Sequence, residues 1–134
     1  FNGNTAEVFE FYSEVFGREI AAVVHYRDFG PEASGPNGEY ADLIANITLQ
    51  LTDSVMLMAS DVPPNMNRNL HIGGNVQLTL VPDDAAEAHR LFDALAAGGT
   101  TVQPLHEEPF AELYGEVTDR FGTSWIIIIE RPMT

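Results

Sequence analysis

The chain has 134 residues, 20 Asp or Glu against 6 Lys or Arg, a formal net charge of −14 and no cysteine. That length is one domain's worth of chain, able to remove roughly two-thirds of its surface from water. The acidic balance argues against nucleic acid and anionic membrane as partners, and the missing thiols exclude disulfides, thiolate nucleophiles and Cys-ligated zinc.

An apolar fraction of 45% describes an ordinary soluble globule. The longest apolar run, Trp125 to Ile129, is strand-sized and far short of the ~20 residues that span a bilayer. No basic-then-apolar leader opens the chain, so a cytoplasmic protein is expected.

In chain order, the first element is a helix opening at Asn4-Thr5-Ala6-Glu7 and running to Gly17. Val8, Phe9, Phe11, Tyr12, Val15 and Phe16 fall on one broad stripe at helical spacing. Asn4 is the natural N-cap, with Glu7 at the capping-box position. Glu19 to Tyr26 is rich in β-formers and reads as a strand; Asp28 to Glu39, holding Gly-Pro-Asn-Gly, reads as a loop. Asn46 to Leu51 alternates Ile47, Leu49 and Leu51 with polar residues, as a half-buried strand should. A turn at Thr52-Asp53-Ser54 returns the chain along Val55 to Ser60.

Residues 62–74 are polar and punctuated by Pro and Gly, a linker between module one (1–61) and module two (75–134). Asn75 to Val81 predicts a strand with Val76, Leu78 and Leu80 on one face and Asn75, Gln77 and Thr79 on the other. The second helix opens at Asp84-Ala85-Ala86-Glu87, buries Ala88, Leu91, Phe92 and Leu95, and ends at Gly98-Gly99. Thr100 to Pro104 and Leu113 to Asp119 are strands, followed by a hairpin at Arg120-Phe121-Gly122. Trp125 to Glu130 is apolar at five successive positions, which predicts cover on both of its faces.

The chain thus reads as two similar halves, each a helix followed by three strands. The helix starts Asn4 and Asp84 are 80 residues apart and the turns Ser54 and Gly122 are 68 apart. The difference of 12 equals the length of the irregular segment Asp28 to Glu39, so one loop insertion reconciles the halves. The strand that precedes the second helix has its counterpart expected largely upstream of Phe1. Duplicated modules commonly build a pocket between them.

Two tandem strand-helix-strand-strand-strand modules resemble the vicinal-oxygen-chelate superfamily of glyoxalases, bleomycin-resistance proteins and dioxygenases. Phe1-Asn2-Gly3-Asn4 with Phe11-Tyr12 and Val15-Phe16-Gly17 is similar to the opening of its PhnB-like branch. Asp53 to Asp61 (DSVMLMASD) is similar to that branch's fourth strand, and Tyr114 to Gly122 (YGEVTDRFG) with Trp125 to its final hairpin. The resemblance implies an α+β fold whose eight strands form an incomplete barrel around a cavity. In metal-dependent relatives inward His and Glu side chains hold a divalent ion that acts as a Lewis acid on paired substrate oxygens.

Carried over residue by residue, the family's metal His falls near Asn75, its last-strand Glu at Ile126, and the first-half counterpart at Met58. The remaining ligand position lies before Phe1. None of the visible three offers an imidazole or a carboxylate, and apolar groups do not ligate a hard cation. The chain also departs from the branch's pattern at Asn46, where His is expected, and at Ala111-Glu112, where Trp-Gly is expected.

Four histidines, His25, His71, His89 and His106, lack helical metal-site spacing. His71, just before the inward strand, is the one weak metal candidate; His89 reads as solvated mid-helix, and His25 and His106 as strand and loop polar groups. Glu116 shares a face with Tyr114 and Thr118; inside an apolar cavity it would have a raised pKa and serve as a base, whereas on an edge strand it would be a surface group. Tyr114 and Trp125 suit either stacking on a ligand or the core. No phosphate loop, Ser-His-Asp order or methyl-donor motif is present.

The resulting expectation is a small-molecule-binding protein whose inter-module cavity is lined by Met56, Met58, Gln77, Thr79, Tyr114, Glu116 and Ile126. No cofactor is expected, though a divalent metal is possible, and a homodimer is expected. Two alternatives stand beside it. One is a divalent-metal lyase, isomerase or dioxygenase acting on vicinal oxygens through His71 and Glu116. The other is an antibiotic-sequestering resistance protein, for which the negative charge suits a cationic drug.

Overall fold

The computed structural model describes residues 1–64 and 70–132, and the chain divides into two compact units, Phe1–His71 and Ile72–Thr134. Both are mixed α+β. Among the described residues no helix is long and apolar enough to cross a membrane.

In the first unit, helix α1 (Thr5–Phe16) precedes strands β1 (Ile20–His25), β2 (Ile44–Gln50) and β3 (Met56–Ala59), which form an antiparallel sheet in the order β1-β2-β3. Helix α1 packs chiefly on β2. Its Val8, Phe9, Tyr12 and Val15 are buried, as are Ile44, Ile47 and Leu49 of the strand. Phe11 and Phe16 are only half-buried, so the apolar stripe is broader than the surface it covers. Gly17 ends the helix in the left-handed region, at φ 62°, which costs glycine nothing.

The start of α1 differs from the sequence expectation. Asn4 makes no side-chain cap bond. Asp61, just after β3, does the work instead: one carboxylate oxygen accepts the Thr5 N–H at 3.1 Å and the Thr5 hydroxyl at 2.6 Å, and the other accepts the Ile44 N–H at 2.8 Å. A helix start leaves orphan donors and favours negative charge, and a carboxylate from another element satisfies both.

The segment between β1 and β2 is not an unstructured loop. It holds two short 3₁₀ turns, Tyr26–Phe29 and Pro36–Gly38, and Asp28 accepts the His25 N–H at 2.8 Å. The predicted β2–β3 turn is present, with the Thr52 hydroxyl accepting the N–H of Ser54 and Val55. Phe1 donates to the Ser60 carbonyl and accepts the Val62 N–H, both at 2.9 Å, bracketing Asp61 as a parallel ladder does.

In the second unit, β4 (Leu78–Leu80), helix α2 (Ala85–Ala96), β5 (Thr100–Glu108), β6 (Ala111–Thr118) and β7 (Ser124–Glu130) give a sheet in the order β4-β7-β6-β5. Only the β4–β7 pair is parallel. Helix α2 is capped by Asp84, which accepts the Glu87 N–H at 2.8 Å, and buries Ala88, Leu91, Phe92 and Leu95. Ala111, Val117, Trp125 and Ile127 are the buried residues of the sheet's core. The turn after β6 is organised by Asp119, whose carboxylate accepts the N–H of Phe121 and Thr123 and the Trp125 indole N–H.

Three expectations change here. Strand β4 is three residues long, so Asn75 and Gln77 precede it. Strand β5 extends past Pro104 to Glu108, placing His106 on a strand. The last strand is not covered equally: Trp125 and Ile127 are buried while Ile126 and Ile128 are half-exposed.

Candidate functional site

The helix of the second unit covers one face of its sheet, and Gly115 identifies which. A Cβ on Gly115 would lie 2.8 Å from the Phe92 ring of α2, so this residue faces the helix at a spacing only glycine allows. Because side chains alternate along a strand, Tyr114, Glu116 and Thr118 project from the opposite face, the one that α2 leaves uncovered. Strand β6 lies between β5 and β7, so Glu116 is not an edge residue.

Register assembles the rest of that face. Glu116 pairs with Ile126 on β7, which pairs with Thr79 on β4; Tyr114 pairs with Ile128 on one side and His106 on the other. The Tyr114 hydroxyl donates to the Glu116 carboxylate. This bond, aided by partial burial, pushes the phenol up to about 12, because ionising it would set two anions together. Phe110, in the β5–β6 turn, meets the Tyr114 ring edge-to-face at 5.4 Å, and His106 does so at 6.0 Å.

His106 has an acceptor at each ring nitrogen: the Pro104 carbonyl at 2.6 Å from Nδ1 and the Glu108 carboxylate at 2.7 Å from Nε2. Two acceptors favour the doubly protonated ring, and the Pro104 carbonyl followed by Glu108 raises its pKa. Beside this cluster is a depression of about 400 Å³ lined by Pro109, Phe110, Ile128, Glu130, Arg131 and Pro132.

The first unit also has a sheet face that its helix leaves uncovered. Ile47 and Leu49 are buried on the α1 side, so the alternate side chains of β2 and their cross-strand partners face away from the helix. There Met58 pairs with Thr48 and Met56 with Gln50, and the two methionines are 59% and 49% exposed. Asn46 accepts the Thr48 hydroxyl at 3.1 Å.

Of the residues singled out in the sequence, Thr79, Tyr114, Glu116 and Ile126 come together on the uncovered face of the second sheet, and Met56 and Met58 share that of the first. Gln77 is exposed ahead of β4, and His71 is exposed in the segment before it. Trp125 is a core residue, 1% exposed. Sequence reasoning missed His106 and Phe110 as neighbours of Tyr114; Leu105-His106-Glu107-Glu108 after Pro104 is poor in β-formers, so nothing local signalled it.

Met58 and Ile126 stand at the positions where the resemblance expects carboxylates, and among the described residues no three His, Cys, Asp or Glu side chains gather closely enough to hold a metal.

Residues 1–128 match the family model for 3-demethylubiquinone-9 3-methyltransferase. The chain is 34% identical to protein PA1353 of Pseudomonas aeruginosa, whose crystal structure aligns with a TM-score of 0.82 over 98% of this chain and 93% of that one. Protein YjdN of Escherichia coli (strain K12) is 28% identical over 95% of this chain and 88% of its own. A putative 3-demethylubiquinone-9 3-methyltransferase, PhnB protein, from Bacillus cereus is 25% identical, with a TM-score of 0.68 over 96% and 93% of the two chains. Fold likeness alone extends to a glyoxylase/bleomycin resistance protein/dioxygenase domain from Frankia sp. EAN1pec, at 14% identity and a TM-score of 0.58 over 92% and 86%.

Proposed function

We propose that this chain, which belongs to the 3-demethylubiquinone-9 3-methyltransferase family and to the PhnB-like branch of the vicinal-oxygen-chelate superfamily, binds a small, mainly apolar molecule against the uncovered faces of its sheets, without a resident divalent metal. The observation that carries this reading is the composition of the second sheet's uncovered face. Ile126 and Ile128 stand half-exposed beside a hydrogen-bonded Tyr114–Glu116 pair. Ligand sites are mostly apolar surfaces with a few placed polar groups, and this face has that makeup. Met56 and Met58, soft and adaptable side chains, give the first sheet a similar wall.

The family's name refers to methyl transfer, but the sequence holds no methyl-donor motif, and that activity is not carried over. A homodimer belongs to the same reading. Ile72, Val76, Leu78 and Val81 are exposed along β4 and its approach, and exposed apolar side chains at a sheet edge support it. Light scattering at twice the chain mass is the expected result; a monomer at every concentration removes that element.

The test of binding is fluorescence titration with the neutral dye Nile red. Saturable binding to the wild type, lost or weakened roughly tenfold in Ile126→Lys, is the expected outcome. Equal dye binding by wild type and Ile126→Lys overturns the assignment of this face.

A further inference from the structure

Resting on that reading, we propose that the molecule held on the second sheet carries a protonated amine, received by the Glu116 carboxylate. Glu116 is half-buried on an inner strand between Ile126 of β7 and Gln103 of β5. Its bond comes from a neutral phenol, which fixes the orientation of the carboxylate without cancelling its charge. No ion pair among the described residues reaches it: Arg27 pairs with Asp42, Arg90 with Glu87, His106 with Glu108 and Arg131 with Glu107.

His106 and Arg131 are turned to other acceptors; Arg131 also donates from Nε to the Glu108 carbonyl at 3.1 Å. A neutral apolar guest lying on this face would strip water from an uncompensated carboxylate, a cost that weakens its binding without abolishing it. An anionic guest would add repulsion. A guest bearing an ammonium group supplies the missing counter-charge and a charge-assisted hydrogen bond to the carboxylate, while Ile126 and Ile128 take its hydrocarbon body. The net charge of −14 further favours encounter with a cation.

Three probes sharing one ring system separate these effects: 1-naphthylmethylammonium, 1-naphthylmethanol and 1-naphthoate, titrated calorimetrically at pH 7. The ammonium should bind roughly tenfold more tightly than the alcohol, and the carboxylate most weakly. Glu116→Gln should bring ammonium and alcohol to parity without weakening the alcohol; Glu116→Thr, suited to a strand, serves if Glu116→Gln does not fold. Glu112→Gln, which lines a depression with Ala85 and His89 of α2, should keep the preference. Equal binding of ammonium and alcohol to the wild type overturns the proposal, as does a preference that survives removal of Glu116 or disappears equally with Glu112→Gln. In those cases the binding face itself stands. Failure of all three probes to bind removes both the face and its charge preference.

Discussion

The Asp61 carboxylate receives both the backbone amide and the hydroxyl of Thr5 across 56 residues of chain, tying the first turn of α1 to the end of β3. Both residues are buried, at 2% and 0% exposure, and the same carboxylate holds the first amide of β2. Three elements of the first unit thus meet at one side chain.

Asp61→Ala should therefore cost more than an ordinary cap. Loss of a surface cap costs about 1 kcal/mol, whereas orphaning several buried donors at once should cost about 3 kcal/mol. Urea unfolding followed by far-ultraviolet circular dichroism measures the difference. Thr5→Val, which keeps the amide bond and removes only the hydroxyl, should lose less. Equal, small losses from both variants would show that Asp61 is not the shared anchor.

Tyr114 makes a spectroscopic prediction. With its pKa pushed up to about 12 by the Glu116 bond, its phenolate band should emerge on alkaline titration well above the ordinary phenol value. Tyr114→Phe should remove that step, and Glu116→Gln should move it to lower pH. The folded value lies above the ordinary phenol value near 10, so the folded state holds this proton more tightly. Its contribution to stability is complete below pH about 10 and is lost as pH rises through about 12. A Tyr114 step left unchanged by Glu116→Gln would contradict the assigned cause.

Gly115 tests the packing of α2 on the sheet. A Cβ there would meet the Phe92 ring at 2.8 Å, the Leu105 side chain at 3.0 Å and the Gln103 carbonyl at 3.2 Å. Gly115→Ala should destabilise by about 1–3 kcal/mol through overpacking. Adding Phe92→Leu should cost less in the Gly115→Ala background than in the wild type, because the smaller side chain relieves the closest contact. Strict additivity in that double-mutant cycle would mean the two residues do not compete for space.

What the sequence made legible follows the range of the forces involved. Both helices were readable because their buried stripes recur within one or two turns; Ala88, Leu91, Phe92 and Leu95 are the buried set of α2. The common face of Tyr114 and Glu116 was equally local, a matter of strand alternation. The cap of α1 was not, since its acceptor lies 56 residues away and Asn4 offers a plausible local substitute. Pro104 disguised the length of β5: proline reads as a strand end, yet β5 is the edge strand of its sheet, where a missing N–H is tolerated. Hidden with it was His106 as a neighbour of Tyr114. In Trp125 to Ile129 hydrophobicity is the same at every position, so no pattern says which side chains meet the helix.

Adjacent isoleucines of that strand give the sharpest test. Ile127 is 0% exposed on the side of the core that α2 covers, while Ile126 is half-exposed on the other face. Ile127→Lys places a charge in a packed interior that offers it no partner, and should abolish cooperative unfolding or lower the midpoint steeply. Ile126→Lys can extend its ammonium past the sheet toward water, and should leave the unfolding free energy within about 1 kcal/mol of the wild type while reducing Nile red binding. Equal, severe destabilisation by both would show the second face to be core as well, covered in solution on both sides, and the binding surface would have to be sought elsewhere. Substituting neighbours on one strand holds sheet position and hydrophobicity constant, so a difference between them reports which face is closed.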